Sequence, residues 1–395
     1  MRRQRLSLGP PQGRQHVAIV TFAAQGHINK SLAIASELVA RGHRVTYPVS
    51  AQFAAQVQAA GAVPVHYRAT INPEPSAAEW PAVTSGADAL FLAETVMMLP
   101  QLAAAYQDDR PDLLLYKVGC WPGPILATTW GIPAVQFAST RIPRTGSRVE
   151  RASFCERFER FLVGHGIDLS LPELSSRPDP CLVLLPRTLQ AEADKVPDNC
   201  TFVGPCLQDR PWQGGWHPPD SRPVLLITLG SVFTDRPDLY RQCVAAFADE
   251  DWTVVMAIGS HVQPADLGRV PDNFEIRRSV PQLAVLAQAR AFLSHCGMGG
   301  LVEALYHGVP IVGVPQAADQ FENAARLAEL GLGVHLPPAE VAADRLRAAV
   351  QRVSADAAMA DRLAQLQREI RAQGGSPAAA DLIERQLRAA DQNDR

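Results

Sequence analysis

Residues 294–303 read SHCGMGGLVE and lie between an apolar run typical of a β-strand and a pattern typical of an α-helix. The three glycines lack side chains, so a diphosphate can approach the backbone of this turn closely. The helix N-terminus adds N–H groups without intrahelical partners and a partial positive charge. His295 can donate a hydrogen bond to a phosphate, and Glu303 can accept hydrogen bonds from a ribose. A tight packing turn around a buried histidine is the alternative interpretation of the same residues.

Two similar successions of strands and helices make up most of the chain. The apolar runs that predict strands are continuous rather than alternating, which is typical of a parallel sheet covered by helices on both faces. The sequence therefore predicts an α/β protein with two Rossmann-like, doubly wound parallel-sheet domains. The runs lie at residues 16–22, 44–49, 63–66, 112–116 and 134–137 in the first half, and at 223–229, 253–258, 291–294 and 311–314 in the second.

A stretch rich in Pro, Gly and polar residues separates the two halves. It reads PCLQDRPWQGGWHPP at residues 205–219 and is typical of an interdomain linker. Ligands bind beyond the carboxyl ends of the strands in open α/β sheets, so both sets of loops are expected to face one cleft. The predicted units are a flexible tail (1–15), an N-terminal domain (16–206), a linker (207–222), a C-terminal domain (223–375) and a C-terminal helix (376–395) that packs back on the N-terminal domain.

The amino-acid composition indicates which kinds of partner the protein binds. The formal net charge is -3, without the basic excess that nucleic-acid binding would suggest. The seven cysteines are scattered without a Cys-x-x-Cys pair, which argues against a zinc site and for reduced thiols in a cytoplasm. No apolar run reaches the ~18 residues of a membrane span, and no apolar core follows the basic N-terminus as in a secretory signal. We therefore expect a cytoplasmic protein that binds small molecules, with a homodimer left open.

Several further motifs accompany the glycine-rich stretch. VPQL at residues 280–283 precedes it, and PQAADQFENA at 315–324 follows it. The first domain contains GHIN at 26–29 and RGHRVTY at 41–47, and the junction between the domains contains TFVG at 201–204 and LGS at 229–231. In this order the motifs resemble those of the bacterial macrolide glycosyltransferases, a subgroup of the UDP-glycosyltransferase-like enzymes that use nucleotide sugars. The resemblance extends from about residue 16 to residue 387.

The resemblance implies a GT-B fold and a reaction. The N-terminal domain would bind a bulky hydrophobic natural product, a macrolide or another polyketide-like acceptor, and the C-terminal domain a nucleotide diphosphate sugar as co-substrate. His27 would be the catalytic base that takes the proton of an acceptor hydroxyl in a single, inverting displacement, without a metal ion or another cofactor. A helix-capping or packing role is the alternative for His27. The donor-binding positions implied are Gly230, Ser231, Ser279, Val280, Gln282, His295, Gly297, Gly299, Gly300, Glu303, and the pair Asp319 and Gln320, which would bind sugar hydroxyls.

Three positions depart from the family pattern. The strand PDLLLY at residues 111–116 is followed by Lys117, where the family has an aspartate that orients the base. A lysine there opposes protonation of the imidazole. Ser279 stands where relatives carry an aromatic residue that stacks on the nucleobase, so donor affinity or base preference is expected to change. Lys30 replaces a proline, a milder change expected to alter only the loop.

Three hypotheses follow for the function. The first is an active glycosyltransferase in which His27 works with a different partner or on an acidic acceptor. The second is a related protein that binds a natural product without transferring sugar, as a chaperone, carrier or regulator. The third is a cleft reused for another reaction, with Lys117 as a cationic or acid–base group. The intact donor motifs favour the first hypothesis, whereas Lys117 and Ser279 favour the others.

The acceptor pocket is predicted from its variable segments. Residues 70–91 and 141–160 are expected to line it. A large apolar surface is predicted there, although each of its candidate side chains also suits a hydrophobic core. The candidates are Trp80, Phe91, Met97, Met98 and Trp121.

Overall fold

The structure is a computed structural model that describes residues 13–71, 84–142, 152–164, 166–168, 170, 173–174 and 178–393. Within these residues the chain forms two β-sheets in which every strand pair is parallel. The first sheet has seven strands in the order β3-β2-β1-β4-β5-β6-β7, and the second has six in the order β10-β9-β8-β11-β12-β13. The predicted fold class, two Rossmann-like domains of the GT-B type, is therefore confirmed.

The strands and helices have the following bounds. The strands of the first sheet are β1 (His16–Val20), β2 (Arg44–Val49), β3 (Val63–His66), β4 (Leu113–Lys117), β5 (Ala134–Ala138), β6 (Cys181–Val183) and β7 (Cys200–Phe202). Those of the second are β8 (Val224–Thr228), β9 (Thr253–Ala257), β10 (Phe274–Arg277), β11 (Ala289–Ser294), β12 (Ile311–Gly313) and β13 (Gly333–His335). The helices are α1 (Gln25–Ala40), α2 (Ala54–Ala59), α3 (Thr84–Ala105), α4 (Pro122–Trp130), α5 (Ala152–Gly164), α6 (Pro237–Phe247), α7 (Gln282–Leu286), α8 (Met298–His307), α9 (Gln320–Glu329), α10 (Ala343–Ala355), α11 (Ala357–Ala372) and α12 (Gly375–Asn393).

The central strands are buried along their whole length. Every residue of β1, β8 and β9 is buried, which explains why these strands appear in the sequence as continuous apolar runs. All nine predicted strands are present, with ends shifted by at most two residues. The four strands that the sequence did not predict are β6, β7, β10 and β13, each only three or four residues long. Such short segments contain too few apolar residues to show a period.

Two segments outside the sheets join the domains. In residues 207–222, Trp212 packs on the hydrophobic cluster of the first domain and Trp216 is buried in that of the second. Helix α12 packs against α1, with Ile383 fully buried in the cluster of the first domain. Arg41 of α1 donates hydrogen bonds to Asp381 at 2.6 Å and to Glu384, also on α12. The end of the chain thus holds both domains together.

The parallel strands direct both sets of loops to one cleft. β1, β4 and β5 end beside His27, Lys117 and Ser139, and β8 and β11 end beside Gly230 and His295. Across this cleft Arg141 forms an ion pair with Glu322 at 2.6 Å, and Arg326 donates a hydrogen bond to the carbonyl oxygen of Thr188 at 2.9 Å. In the described part of the chain, no helix is long and apolar enough to cross a bilayer.

Candidate active site

His27 lies in the first turn of α1, at the carboxyl end of β1. Its ring contacts Phe22 and Phe91, with centroid distances of 5.9 and 6.5 Å. The N-cap of α1 is Ala24 and its helix end has no side-chain cap, so His27 does not cap the helix. Among the described residues, none forms a hydrogen bond with the buried Nδ1 of His27. Within the described part of the chain, the Nδ1 side of the imidazole is therefore held by packing rather than by a polar partner.

The charge state of His27 is set by its surroundings. Burial lowers its pKa well below the usual value, and the positive charges of Lys117 and Lys30 lower it further. Lys117 is the last residue of β4, and its Nζ lies 3.4 Å from the carbonyl oxygen of Val118. Because Lys117 acts on His27, the structure brings together the two residues that the sequence predicted to be catalytic. His27 is therefore neutral near pH 7, and its lowered pKa makes it a weaker base than an ordinary histidine.

Lys30 reaches across the cleft from α1, one turn after His27. Its Nζ donates a hydrogen bond to the carbonyl oxygen of Ser139 at 3.0 Å. A methyl group added to Gly299 of the second domain would lie 3.5 Å from Cε of Lys30. Burial and Lys117 lower the pKa of Lys30 to about 8, although the carboxylates of Asp319 and Glu303 act in the opposite direction. The expectation that Lys30 alters only the loop is therefore wrong, since its side chain lies in the site.

The glycine-rich stretch brings the N-terminus of α8 to the cleft. The N-cap residue Gly297 has extended backbone, and no side chain caps the helix. The ring of His295 lies between two glycines: a methyl group at Gly230 would lie 2.6 Å from its Nε2, and one at Gly297 would also overlap the ring. Gly230 further requires a positive φ of 83°. Burial lowers the pKa of His295 to about 4, so its imidazole is neutral.

Gly299 and Gly300 have room that the protein does not use. The nearest atoms to a methyl group at either position would be 3.5 Å away, on Lys30 and Gln282 respectively. This is ordinary contact, so packing within the protein does not require a glycine at either position. The packing-turn interpretation thus accounts for Gly230 and Gly297 but not for Gly299 and Gly300. At Gly299 an added methyl group would meet only Lys30, and at Gly300 it would meet Gln282 and Phe292.

Two non-glycine residues beside the cleft have left-handed backbone. Cys296 has a φ of 60° and precedes Gly297, and Ala318 has a φ of 53° and precedes Asp319. This conformation costs roughly 1 kcal/mol or more outside glycine and often occurs at functional sites. Asn323 stabilises the first of these loops by donating a hydrogen bond to the carbonyl oxygen of Cys296 at 3.0 Å. Both strained positions directly precede residues predicted to bind the donor.

Glu303 lies in a buried ion pair. Its Oε1 is 2.5 Å from Nη2 of Arg210, and the two side chains are 8% and 5% exposed. Its Oε2 accepts a hydrogen bond from Gln282 at 2.6 Å. Arg210 belongs to the predicted linker, and the sequence analysis did not identify it. The only available signal was a single charged residue in front of Pro211.

Asp319 and Gln320 have different roles in their loop. The amide oxygen of Gln320 accepts hydrogen bonds from the backbone N–H groups of Gln316 and Ala317, at 2.7 and 3.0 Å. Asp319 accepts one from Asn323 at 3.1 Å, and its charge also acts on Lys30 and His295. Gln320 thus shapes the loop through its oxygen, whereas the charge of Asp319 reaches the cleft.

The remaining predicted donor positions lie at the rim. Ser231 and Ser279 are exposed, and Val280 is buried just before α7 begins at Gln282. Within the residues that the structure describes, no group of three or more His, Cys, Asp or Glu side chains could hold a metal ion.

The predicted acceptor side chains divide into three groups. Trp80 lies outside the described residues, as do residues 72–83 and 143–151 of the two predicted pocket segments. Met98 is 0% exposed and lies in the core of the first domain, whereas Trp121, 8% exposed, packs in that core and also lines a small cavity with Gln136 and Leu174. Met97 is exposed at 38%. Phe91 stacks on Phe22 at 4.5 Å and contacts His27, which makes it the apolar residue nearest the predicted base in this set.

Comparison with known proteins gives one consistent result. Residues 241–385 match the family described as erythromycin biosynthesis protein CIII-like, C-terminal domain. The chain is 41% identical to oleandomycin glycosyltransferase of Streptomyces antibioticus, over 95% of this chain and 91% of that protein. Among solved structures, it is similar to the glycotransferase of kitacinnamycin (42% identity, TM-score 0.83, covering 95% and 99% of the two chains). It is also similar to CalG4, the calicheamicin glycosyltransferase (34% identity, TM-score 0.82, covering 96% and 100%).

The buried ion pair yields a prediction about stability. Arg210→Met leaves the Glu303 carboxylate buried without its cation and should lower the free energy of unfolding by ~3–5 kcal/mol. The double variant Arg210→Met/Glu303→Leu removes both charges, so its free energy of unfolding should fall less than that of the single variant. Urea unfolding measures the free energy of unfolding of the native protein and of both variants.

The control is Arg187→Met, which breaks an ion pair whose side chains are 49% and 97% exposed. It should cost at most ~1 kcal/mol. If Arg210→Met costs no more than Arg187→Met, the pair with Glu303 does not stabilise the site.

Proposed function

The chain belongs to the macrolide glycosyltransferase family, and on that premise we propose that it transfers a sugar from a nucleotide diphosphate sugar to a hydroxyl group of a bulky hydrophobic natural product. The observation that carries this proposal is the arrangement across the cleft. A neutral histidine stands on one side, and an open helix N-terminus with room at Gly299 and Gly300 stands on the other. The first group is suited to take a proton and the second to hold a diphosphate.

The donor is held by the second domain in this proposal. Its diphosphate lies against the N–H groups of the first turn of α8, and His295 adds a hydrogen bond. The ribose lies against Glu303, whose position Arg210 and Gln282 fix. Asp319 accepts hydrogen bonds from hydroxyl groups of the sugar. Ser279 at the rim has no aromatic surface for stacking, so the affinity for the nucleobase comes from other contacts.

The transfer is a single displacement with inversion. The acceptor oxygen forms a bond to the anomeric carbon while the bond from that carbon to the phosphate oxygen breaks. The acceptor proton goes to His27, and the electron pair leaves with the nucleoside diphosphate. The helix N-terminus stabilises the negative charge that develops there, so the reaction needs no metal ion.

Lys117 determines which acceptors suit this site. His27 becomes cationic when it takes the proton, and Lys117 and Lys30 oppose that charge. An aliphatic alcohol releases its proton only to a competent base, whereas a phenol or enol is already partly ionised. We therefore propose an acceptor with an acidic hydroxyl group. The same electrostatic observation favours a second candidate, a protein that binds donor and natural product without transferring sugar.

The donor site predicts binding of nucleoside diphosphates. Uridine diphosphate or thymidine diphosphate should raise the melting temperature, because a ligand at 100 times its Kd adds ~2.7 kcal/mol. Gly299→Ala should keep the melting temperature of the free protein, because the added methyl group would be in ordinary contact with Lys30 only. It should weaken binding, because the methyl group would occupy part of the space proposed for the diphosphate. A thermal-shift titration measures both effects.

The matched control for this variant is Gly164→Ala, at the end of α5, where an added methyl group would meet nothing within 4 Å. It should bind as the native protein does. If neither nucleotide shifts the melting temperature at millimolar concentration, the proposed donor site is wrong. If the donor binds but no sugar is transferred to any hydroxyl group, the second candidate, a protein that binds without transfer, is favoured.

The proposed neutralisation of the diphosphate predicts independence from metal ions. Transfer should proceed at an unchanged rate in EDTA, because the helix N-terminus and hydrogen bonds stabilise the leaving group. Initial rates with and without the chelator measure this. A rate that falls in EDTA and returns with magnesium or manganese contradicts the proposal.

The charge of Lys117 predicts a gain of function. Lys117→Asp should raise the rate on an alcohol acceptor at least about tenfold, equivalent to ~1.4 kcal/mol off the barrier, because a carboxylate stabilises the protonated form of His27. The gain on a phenol of similar size should be smaller. Because the variant raises the pKa of His27, its loss of activity on acidification should begin at a higher pH than in the native protein.

Lys117→Met is the control that removes the cation without adding a carboxylate. It should give part of the gain and part of the change in pH profile. Equal native rates on the alcohol and the phenol, or unchanged rates in Lys117→Asp, show that Lys117 does not govern the base.

A further inference from the structure

We propose that Lys30 of the first domain completes the diphosphate site of the second. The inference rests on the proposed function and adds a binding residue to it. Cε of Lys30 lies 3.5 Å from where a methyl group on Gly299 would be, at the N-terminus of α8 where the diphosphate is proposed to lie. Nζ is anchored from the other side by the carbonyl oxygen of Ser139, at 3.0 Å. The ammonium thus lies between the end of β5 and the first turn of α8.

The charges around Lys30 favour an anion at this point. The N-terminus of α8 carries a partial positive charge, and Lys117 adds a full one nearby. Like charges placed together oppose each other unless an anion separates them. A diphosphate in this space would meet the ammonium on one side and the helix N–H groups on the other.

The neighbouring carboxylates fill this role only in part. Glu303 is in an ion pair with Arg210 and accepts a hydrogen bond from Gln282. Asp319 accepts a hydrogen bond from Asn323 on its own helix. Both carboxylates raise the pKa of Lys30, yet burial and Lys117 outweigh them and hold it at about 8. The ammonium remains mostly charged near pH 7 and gains from a stronger anion.

Lys30 lies on the same helix, α1, as the proposed base His27. Residues three apart lie on the same face of a helix, so Lys30 and His27 face the cleft together. A diphosphate bound to Lys30 is therefore fixed relative to the base as well as to the second domain. As the bond to the anomeric carbon breaks, negative charge develops on the phosphate oxygen, and Lys30 stabilises it. One helix thus carries both the group that accepts the proton and a group that receives the leaving charge.

The experiment compares a diphosphate with a nucleoside that lacks it. Isothermal titration measures the Kd of uridine diphosphate, thymidine diphosphate and uridine for the native protein, Lys30→Met and Lys30→Arg. Lys30→Met should weaken both diphosphates by about tenfold or more, as expected for one hydrogen bond to a charged group. Uridine should bind it as it binds the native protein, and Lys30→Arg should recover most of the diphosphate affinity.

The dependence of diphosphate affinity on salt concentration is a second measurement. Raising the concentration of NaCl should weaken diphosphate binding more steeply in the native protein than in Lys30→Met, because the variant lacks one cation–anion contact. Lys195→Met removes a lysine that is 70% exposed and serves as the control for a loss of charge elsewhere. It should leave the affinities and their salt dependence unchanged.

The outcomes separate this inference from the proposed function. If neither diphosphate binds the native protein, the proposed function fails. If both bind natively and Lys30→Met binds them equally well, the inference about Lys30 is overturned while sugar transfer stands. If Lys30→Met weakens uridine as much as the diphosphates, or Lys30→Arg recovers nothing, Lys30 only supports the loop at Ser139, and the inference is again overturned.

Discussion

The parallel direction of the strands in both sheets is the constraint on which the site depends. A parallel sheet collects the carboxyl ends of its strands at one edge, and the polar loops of the chain gather there because the strands themselves are buried. With two such edges facing each other, groups distant in sequence become neighbours. His27 and Lys117 come from loops of the first sheet, and Gly299 and Asp319 from loops of the second. The cleft is thus a product of topology before any single residue contributes chemistry.

Within that cleft, several cations lie near His27. Arg210 forms an ion pair with Glu303 and so fixes that carboxylate, while its charge also lowers the pKa of Lys30. Lys30 and Lys117 lie close enough to lower the pKa of the same histidine. Burial of like charges is costly unless a ligand offsets it. A substrate that carries two phosphates meets this requirement, which links the stability of the free protein to its function.

The sequence predicted the fold and the glycine-rich turn because both depend on local patterns. Apolar runs of four to seven residues predicted strands, and a strand followed by glycines and a helix predicted the turn. The sequence did not predict that the side chains of Lys30 and Arg210 lie in the site, because this depends on contacts with residues far along the chain. Lys30 meets Gly299, and Arg210 meets Glu303, each across the boundary between predicted units. Met98 and Trp121 were assigned to a pocket for the opposite reason: a large apolar side chain suits a core and a ligand wall equally until its burial is known.

The two histidines of the cleft reach a neutral state by different routes, and the difference separates their functions. His295 is neutral through burial, with its ring held between two glycine backbones, while Asp319 and the backbone at Thr228 act to raise its pKa. Changing one charge near His295 therefore leaves burial, the main cause of its low pKa, in place. Burial also lowers the pKa of His27, but the positive charges of two lysine side chains, Lys117 and Lys30, add to the effect. Its basicity responds to substitution at those two positions and to any anion that binds beside them. An anion next to Lys30 would reduce the positive field at His27, so in the proposed reaction a bound diphosphate would raise the pKa of the base. The proposal thus couples donor binding and proton transfer through charge.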